Sequence, residues 1–376
     1  MIVRSVFSSR YRDLTILVPA VETDYRALGE FVSSAPQTRN QHAVDAGIDH
    51  ITLSVGDART RAAEFVDRYG FEVIAAGDTP EFTAVAVRQQ DVVLVLLEGR
   101  TDDHPATRFV ARHGDGVSDI ALRVEAPDRT VLDAFGDVTH TFVSRPAGEP
   151  WSLPGIAPVR TEGTAGTIGT TGTTASTGPA KRHLLCVDHI AVCLETGELD
   201  RTVESYERTL GWQVVFQEDI HVGAQAMQSK VVQSPCGRVT LTLLQPMSGA
   251  VPGQIDDFLR KHGGSGVQHL AFAVPDIVDA VADLGTAGVR FLATPDSYYE
   301  DLEERLGSSA HPVAELRKYS VLADRDHDGE LFQIFTRSEH PRRTHFMEII
   351  ERRGATTFGS NNIRKLYEAV ERQDTA

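Results

Sequence analysis

Val187-Asp188-His189-Ile190-Ala191-Val192 is a short apolar run with one histidine inside it, and it decides the fold because the chain repeats it. Val267-Gln268-His269-Leu270-Ala271-Phe272 has the same form, and Phe346-Met347-Glu348-Ile349-Ile350 is a third run with a single carboxylate at its centre. Upstream, Gly47-Ile48-Asp49-His50-Ile51-Thr52-Leu53 matches the first phrase and Gly116-Val117-Ser118-Asp119-Ile120-Ala121-Leu122 parallels the second. Such runs predict buried strands. Helix-like stretches follow at 58–69, ended by Gly70-Phe71, and at 200–210, ended by Gly211-Trp212. Extended runs at 212–218, 224–233 and 239–244 then complete a β-α-β-β-β module.

The module recurs within each half. A strand at 267–274 and a helix at 277–287, closed by Gly288, are followed by extended runs at 289–293, 318–324, 331–336 and 344–351. In the N-terminal half the equivalent stretch, 124–135, is too short for a full helix and strand. A repeat of supersecondary units is stronger evidence than any single strand. The fold class expected is α+β: two domains, each a pair of βαβββ modules forming a curled, barrel-like open sheet around a cavity. The expected boundaries are a poorly ordered extension over 1–44, an N-terminal domain over 45–150, a linker over 151–182 and a catalytic domain over 183–376. Within the linker, the Thr/Gly-rich tract 161–178 has almost no large apolar residue and cannot bury enough surface to order itself.

Bulk properties exclude several classes of function. A formal net charge of −16 opposes nucleic acid or an anionic membrane as partner, because both need a basic surface. No apolar run approaches a membrane span, and the N-terminal region lacks the apolar core of a secretory signal. Three cysteines are too few for a disulfide framework or a zinc site, and a cytoplasmic setting is expected.

One histidine in a strand is usually a core residue satisfied by a hydrogen bond. Conjunction changes the odds. His189 and His269 occupy equivalent places in sister modules, and Glu348 on a closing strand would be costly to bury alone. Two imidazoles and one carboxylate from three strands can cap one face of an octahedral ion, the ligand set of non-haem Fe(II) oxygenases. Ala191, Cys193 and Ala271 fall on the ligand faces by strand alternation and leave space there. Zinc hydrolase sites use similar ligands, but usually with two on one helix, as in H-E-x-x-H, which is absent here. A metal-free binding protein on the same scaffold is a further alternative. In the N-terminal half His50 persists, Asp119 replaces the second histidine and no glutamate closes the set, so that half is expected to be a packing partner. Gly263-Gly264-Ser265-Gly266 lacks the Lys-Ser/Thr ending of a phosphate loop and is expected to be a turn. Arg342-Arg343 and Arg352-Arg353 are expected to be solvated surface charges.

From Gly47 to Gln373, and most strongly after Val187, the chain resembles the 4-hydroxyphenylpyruvate dioxygenase family of the vicinal oxygen chelate superfamily. The specific segments are Val267-Gln268-His269, Leu331-Phe332-Gln333-Ile334-Phe335-Thr336, Phe346-Met347-Glu348-Ile349-Ile350-Glu351-Arg352 and Phe358-Gly359-Ser360-Asn361-Asn362. The resemblance implies Fe(II) held by His189, His269 and Glu348, with 4-hydroxyphenylpyruvate and O2 as substrates and a homodimer as the assembly. It also implies a cavity lined by Ser229, Thr242, Gln254, Gln268 and Gln333, with Phe335 and Phe358 suited to sandwiching an aromatic ring. Asn361, Asn362 and Leu366 would belong to a lid helix that keeps water out.

One branch of the family makes homogentisate; another hydroxylates the benzylic carbon and makes 4-hydroxymandelate. Where the first branch has Pro-Ile-Asn-Glu-Pro, this chain has Thr242-Leu243-Leu244-Gln245-Pro246, and Ile363 replaces an aromatic residue near the C-terminus. Val231, Leu244 and Ile363 are therefore the expected specificity positions, and the second branch is the closer likeness. Apolar Leu244 cannot offer the hydrogen bond an asparagine would, and a rotated ring would bring the benzylic C–H nearest the reacting oxygen.

Overall fold

The computed structural model describes residues 47–125, 130–146, 148–159, 181–359 and 362. The extension 1–44, the tract 161–178 and residues Asn361, Ile363 and Leu366 lie outside them. In the N-terminal half the elements are β1 (Ile48–Ser54), α1 (Ala58–Tyr69), β2 (Glu72–Asp78), β3 (Phe82–Gln89), β4 (Val92–Gly99), α2 (Pro105–His113), β5 (Gly116–Arg123), β6 (Val131–Phe135), β7 (Val138–Val143) and β8 (Ala157–Pro158). The C-terminal half continues with β9 (Cys186–Cys193), α3 (Leu199–Leu210), β10 (Gln213–Val222), β11 (Gln225–Gln233), β12 (Thr240–Pro246), α4 (Gln254–His262) and β13 (Gly266–Ala273). It ends with α5 (Ile277–Thr286), α6 (Leu302–Leu306), α7 (Val313–Lys318), β14 (Leu322–Arg325), β15 (Glu330–Phe335) and β16 (Phe346–Arg353).

Two eight-stranded sheets result, ordered β6-β7-β5-β1-β4-β3-β2-β8 and β10-β11-β12-β9-β13-β16-β15-β14. Each is built about an antiparallel central pair, β1 with β5 and β9 with β13, and each central strand has a parallel outer neighbour. The α+β architecture of curled sheets is thus present. One apolar cluster runs through both sheets, from Ile51, Leu94 and Ile120 to Ile190, Leu243, Leu270 and Ile349, so the halves share a core. In β9 and β13 the alternate residues, His189 and Ala191 or His269 and Ala271, face the other way, into the hollow of the second sheet.

The central strands all carry a bulge just before the residue of interest. Register shifts leave Asp49, Ser118, Asp188 and Gln268 as the extra residue opposite a single partner. A bulge re-aims the local side chains and lets the preceding polar residue stand beside the one that follows.

Some boundaries differ from the sequence expectation. Residues 318–320 are not extended: α7 ends at Lys318 and β14 starts at Leu322. The run 289–293 makes only an isolated bridge, Phe291 to Thr336. Helix α4 was not anticipated, although Ile255, Phe258 and Leu259 pack one face of it onto the hollow; Gly263, with φ of 85°, ends it, so the glycine run is a turn as expected. Residues 151–158 are not linker. Trp151 and Ile156 pack against Ala75, Ala84, Ala86, Val93 and Val95, and β8 pairs with β2, so this segment fills the hollow of the first sheet.

Candidate metal centre

His189, Ala271 and Glu348 lie in one row across three neighbouring strands, because Ala271 is the register partner of both outer residues. His269 sits two residues along β13 on the same face, opposite Ala191. The short side chains of Ala271 and Ala191, 0% and 1% exposed, form the floor. Above it, His189 Nε2 and His269 Nε2 stand 3.4 and 3.2 Å from the same oxygen of Glu348. All three residues are buried, and their ligand atoms lie within 4.8 Å of one another.

The imidazoles are oriented from behind. His189 Nδ1 donates to Asp188 at 2.8 Å, and His269 Nδ1 donates to the side-chain carbonyl of Gln268 at 3.2 Å. Each bond fixes the tautomer that turns the Nε2 lone pair towards Glu348. Gln268, expected to line the substrate cavity, is therefore engaged with a ligand ring. Asp188 is in turn gripped by Arg352 through two bonds of 2.8 and 3.0 Å. Arg352 is consequently not a solvated surface charge, whereas Arg342 lies at the surface, where its guanidinium donates to the Ala111 and Arg112 carbonyls of α2.

Electrostatics favour a cation at this point. Burial alone would depress His189, but the facing Glu348 carboxylate and the Asp188 bond outweigh it and lift the imidazole to about 9. Burial would raise Glu348, yet the two imidazoles hold it below the ordinary carboxylate range. His269 is lowered, chiefly by burial. The shifts thus favour a protonated His189 facing the Glu348 carboxylate. A divalent ion with ligands at about 2.0–2.2 Å places adjacent donors about 3 Å apart, close to the spacings found here. The residues fit such an ion.

Metal uptake should therefore expel the His189 proton. Near pH 7 about one proton is expected per ion bound, and apparent affinity should rise about tenfold per pH unit up to about pH 9, then flatten. Calorimetry in buffers of different ionisation enthalpy checks this; uptake that released no proton would contradict it.

The cavity-lining residues divide. Thr242 Oγ1 and Gln254 Nε2 are buried without a hydrogen-bond partner, which leaves two polar atoms for a ligand to satisfy. Ser229 and Gln333 are buried on β11 and β15. Asn362 accepts from the Tyr298 hydroxyl at 2.9 Å, while its amide nitrogen is buried and unpaired. Phe358 stands edge-on to His189 at 5.1 Å and Phe335 edge-on to His269 at 5.9 Å, so each ring backs a different imidazole. Phe346 stacks on His269 at 4.9 Å, and Phe216 lies 6.2 Å from Phe358; neither ring was singled out from sequence. Val231 pairs with Thr242, and Ser229 with Leu244. Leu244 packs with Cys193, Ile220, Met227, Ile255 and Phe258 beneath α4. Cys193, expected on the ligand face, is buried in this same cluster.

The N-terminal sheet keeps the form without the ligands. His50 Nδ1 donates to Asp49, and Asp119 accepts from the hydroxyls of Thr139 and Thr141. No metal-ligand cluster forms around His50 among the described residues.

Comparison with known proteins agrees with this architecture. Residues 187–334 match the Glyoxalase/Bleomycin resistance protein/Dioxygenase superfamily. A 4-hydroxyphenylpyruvate dioxygenase from Coccidioides posadasii is 30% identical over 90% of this chain and 94% of its own. The chain belongs to the 4-hydroxyphenylpyruvate dioxygenase family. Another relative with that name, from Dictyostelium discoideum, is 29% identical over 87% of this chain and 98% of its own. A solved structure, a triply substituted 4-hydroxymandelate synthase from Streptomyces coelicolor, is 37% identical. It covers 88% of this chain and 99% of its own, with a TM-score of 0.74.

Proposed function

We propose that this family member is an Fe(II)-dependent oxygenase that converts 4-hydroxyphenylpyruvate and O2 to 4-hydroxymandelate and CO2. The observation that carries the oxygenase reading is the convergence of His189, His269 and Glu348, whose ligand atoms lie within 4.8 Å of one another. Bound there, Fe(II) would supply open positions for a 2-oxo acid and for dioxygen, and the electrons that activate the latter. The atoms balance: the keto acid loses its carboxylate as CO2, one oxygen atom enters the new carboxylate and the other the benzylic hydroxyl.

The chain's own residues position the reactants. Thr242 Oγ1 and Gln254 Nε2 offer donors to the polar ends of the keto acid. Phe358 and Phe216 provide an aromatic wall on the His189 side. Leu244, held under α4 by Ile255 and Phe258, makes the neighbouring surface apolar. A ring that gains no hydrogen bond there rotates, which sets the benzylic carbon towards the reacting oxygen.

The choice of 4-hydroxymandelate is supported by the higher identity to the synthase, 37%, than to the dioxygenases cited, 29–30%. Homogentisate is the alternative product. Incubation with Fe(II), O2 and 4-hydroxyphenylpyruvate, followed by chromatography and mass analysis, is expected to give 4-hydroxymandelate as the main product. Homogentisate in its place would overturn the product assignment, and no metal-dependent oxygen uptake would overturn the oxygenase reading.

A further inference from the structure

One four-residue arrangement occurs in both halves. In the first, His50 Nδ1 donates to Asp49 at 2.7 Å, and Arg145 grips Asp49 through Nε and Nη2 at 2.6 and 2.8 Å. The Arg145 guanidinium lies 4.8 Å from the centroid of Trp151, which stands edge-on to His50 at 5.6 Å and 89°. In the second, His189, Asp188, Arg352 and Phe358 reproduce every contact. Arg352 lies 4.9 Å from the Phe358 centroid, and Phe358 meets His189 at 90°. Each arginine also ties down the chain beside its aromatic ring: Arg145 donates to the carbonyl of Ser152, just after Trp151, and Arg352 to those of Ala355 and Thr357, before Phe358. The two arginine side chains are equally covered, 19% and 21% exposed.

We propose that Arg352 is a positioning residue for the metal centre: its guanidinium fixes Asp188, and through it the His189 ring, while holding Phe358 against that ring. The proposal rests on the metal-binding role given above. A planar guanidinium holds a carboxylate in one orientation where a flexible ammonium would not. Asp188 so held leaves His189 Nδ1 a single acceptor direction, and hence Nε2 a single aim. The first half is an internal control. There the same four residues serve packing alone, since Trp151 fills the hollow and Asp119 is satisfied by two threonines.

The test uses the full chain without oxygen, with Co(II) as the probe because its visible bands report the ligand arrangement. Arg352→Met is expected to weaken Co(II) binding by about 10–100-fold, the range for loss of an outer partner of a ligand histidine, and to alter the bands. Arg145→Met should leave affinity within about twofold of the parent, as for a distant independent site, while lowering the melting temperature. Unchanged affinity and spectrum in Arg352→Met, or equal weakening by Arg145→Met, would overturn the proposal. If Arg352→Met does not fold, Asp188→Asn is read on the same titration, with weaker binding expected and unchanged binding overturning the proposal. Failure of the parent protein to bind Co(II) would instead remove the metal reading itself.

Discussion

Glu348→Gln is expected to cost at least about 100-fold in metal affinity, beyond the 10–100-fold typical of outer-shell changes, and to reduce turnover with it. Glutamine keeps the volume of a side chain that is 2% exposed, removes its charge and exchanges one acceptor oxygen for an NH2 donor. A dication would then face two neutral imidazoles with no anion to offset its desolvation. The metal-free protein should change as well. His189 is raised largely by the facing carboxylate, so its pKa should fall in the variant. The sign follows: a raised imidazole stabilises the fold below its ordinary value near 6.5, and this contribution is lost as pH rises through about 9. The variant should therefore show a smaller stability loss between those limits, and release less than one proton per ion near pH 7. Metal titration and pH-dependent melting give both readings. Wild-type affinity in the variant would show that Glu348 is not a ligand.

Ala271→Leu should be nearly as damaging to binding, for a steric reason. Ala271 is fully buried between His189 and Glu348 in the strand row. Leucine there adds three carbons to a packed floor at a cost of about 1–3 kcal/mol in stability, which the fold can survive. The added branch points into the space the ligand atoms share, so metal affinity should drop by about 100-fold or more, by analogy with loss of one partner of a buried charged cluster. Ala271→Gly is the matched variant and should retain binding. Calorimetric titration beside thermal melting separates the effects, and full metal affinity in Ala271→Leu would show that this row is not the floor.

Much of this was legible in particular residues. The paired phrases around His189 and His269 announced sister modules, and Gly70 and Gly211 marked the ends of α1 and α3, where φ of 76° and 69° suits glycine. Glu348 stood out as a carboxylate inside an apolar run. The bulges at Asp188 and Gln268 were not legible, since a one-residue shift in register leaves no compositional trace. For the same reason the contact of Gln268 with the His269 ring and that of Arg352 with Asp188 are not legible in the sequence. Helix α4 carries a readable 3.6-residue pattern at Ile255, Phe258 and Leu259 but stands outside the repeated βαβββ module. Segment 151–158 looked like the start of a linker because Trp151 and Ile156 find their partners only across the hollow of the first sheet.

Sequence by itself determined the repeated module, the curled sheets and the identities of three far-apart residues able to hold a metal, because strand period and burial are local properties of the chain. Only the tertiary structure decided that His189 and Glu348 share one row with Ala271 while His269 sits two residues along the same face, that Arg352 stands behind His189, and that the first hollow is filled by Trp151 while Thr242 Oγ1 and Gln254 Nε2 stay buried and unpaired in the second half. Register, bulges and the packing of distant segments are set by contacts between strands, and no single stretch of sequence contains them.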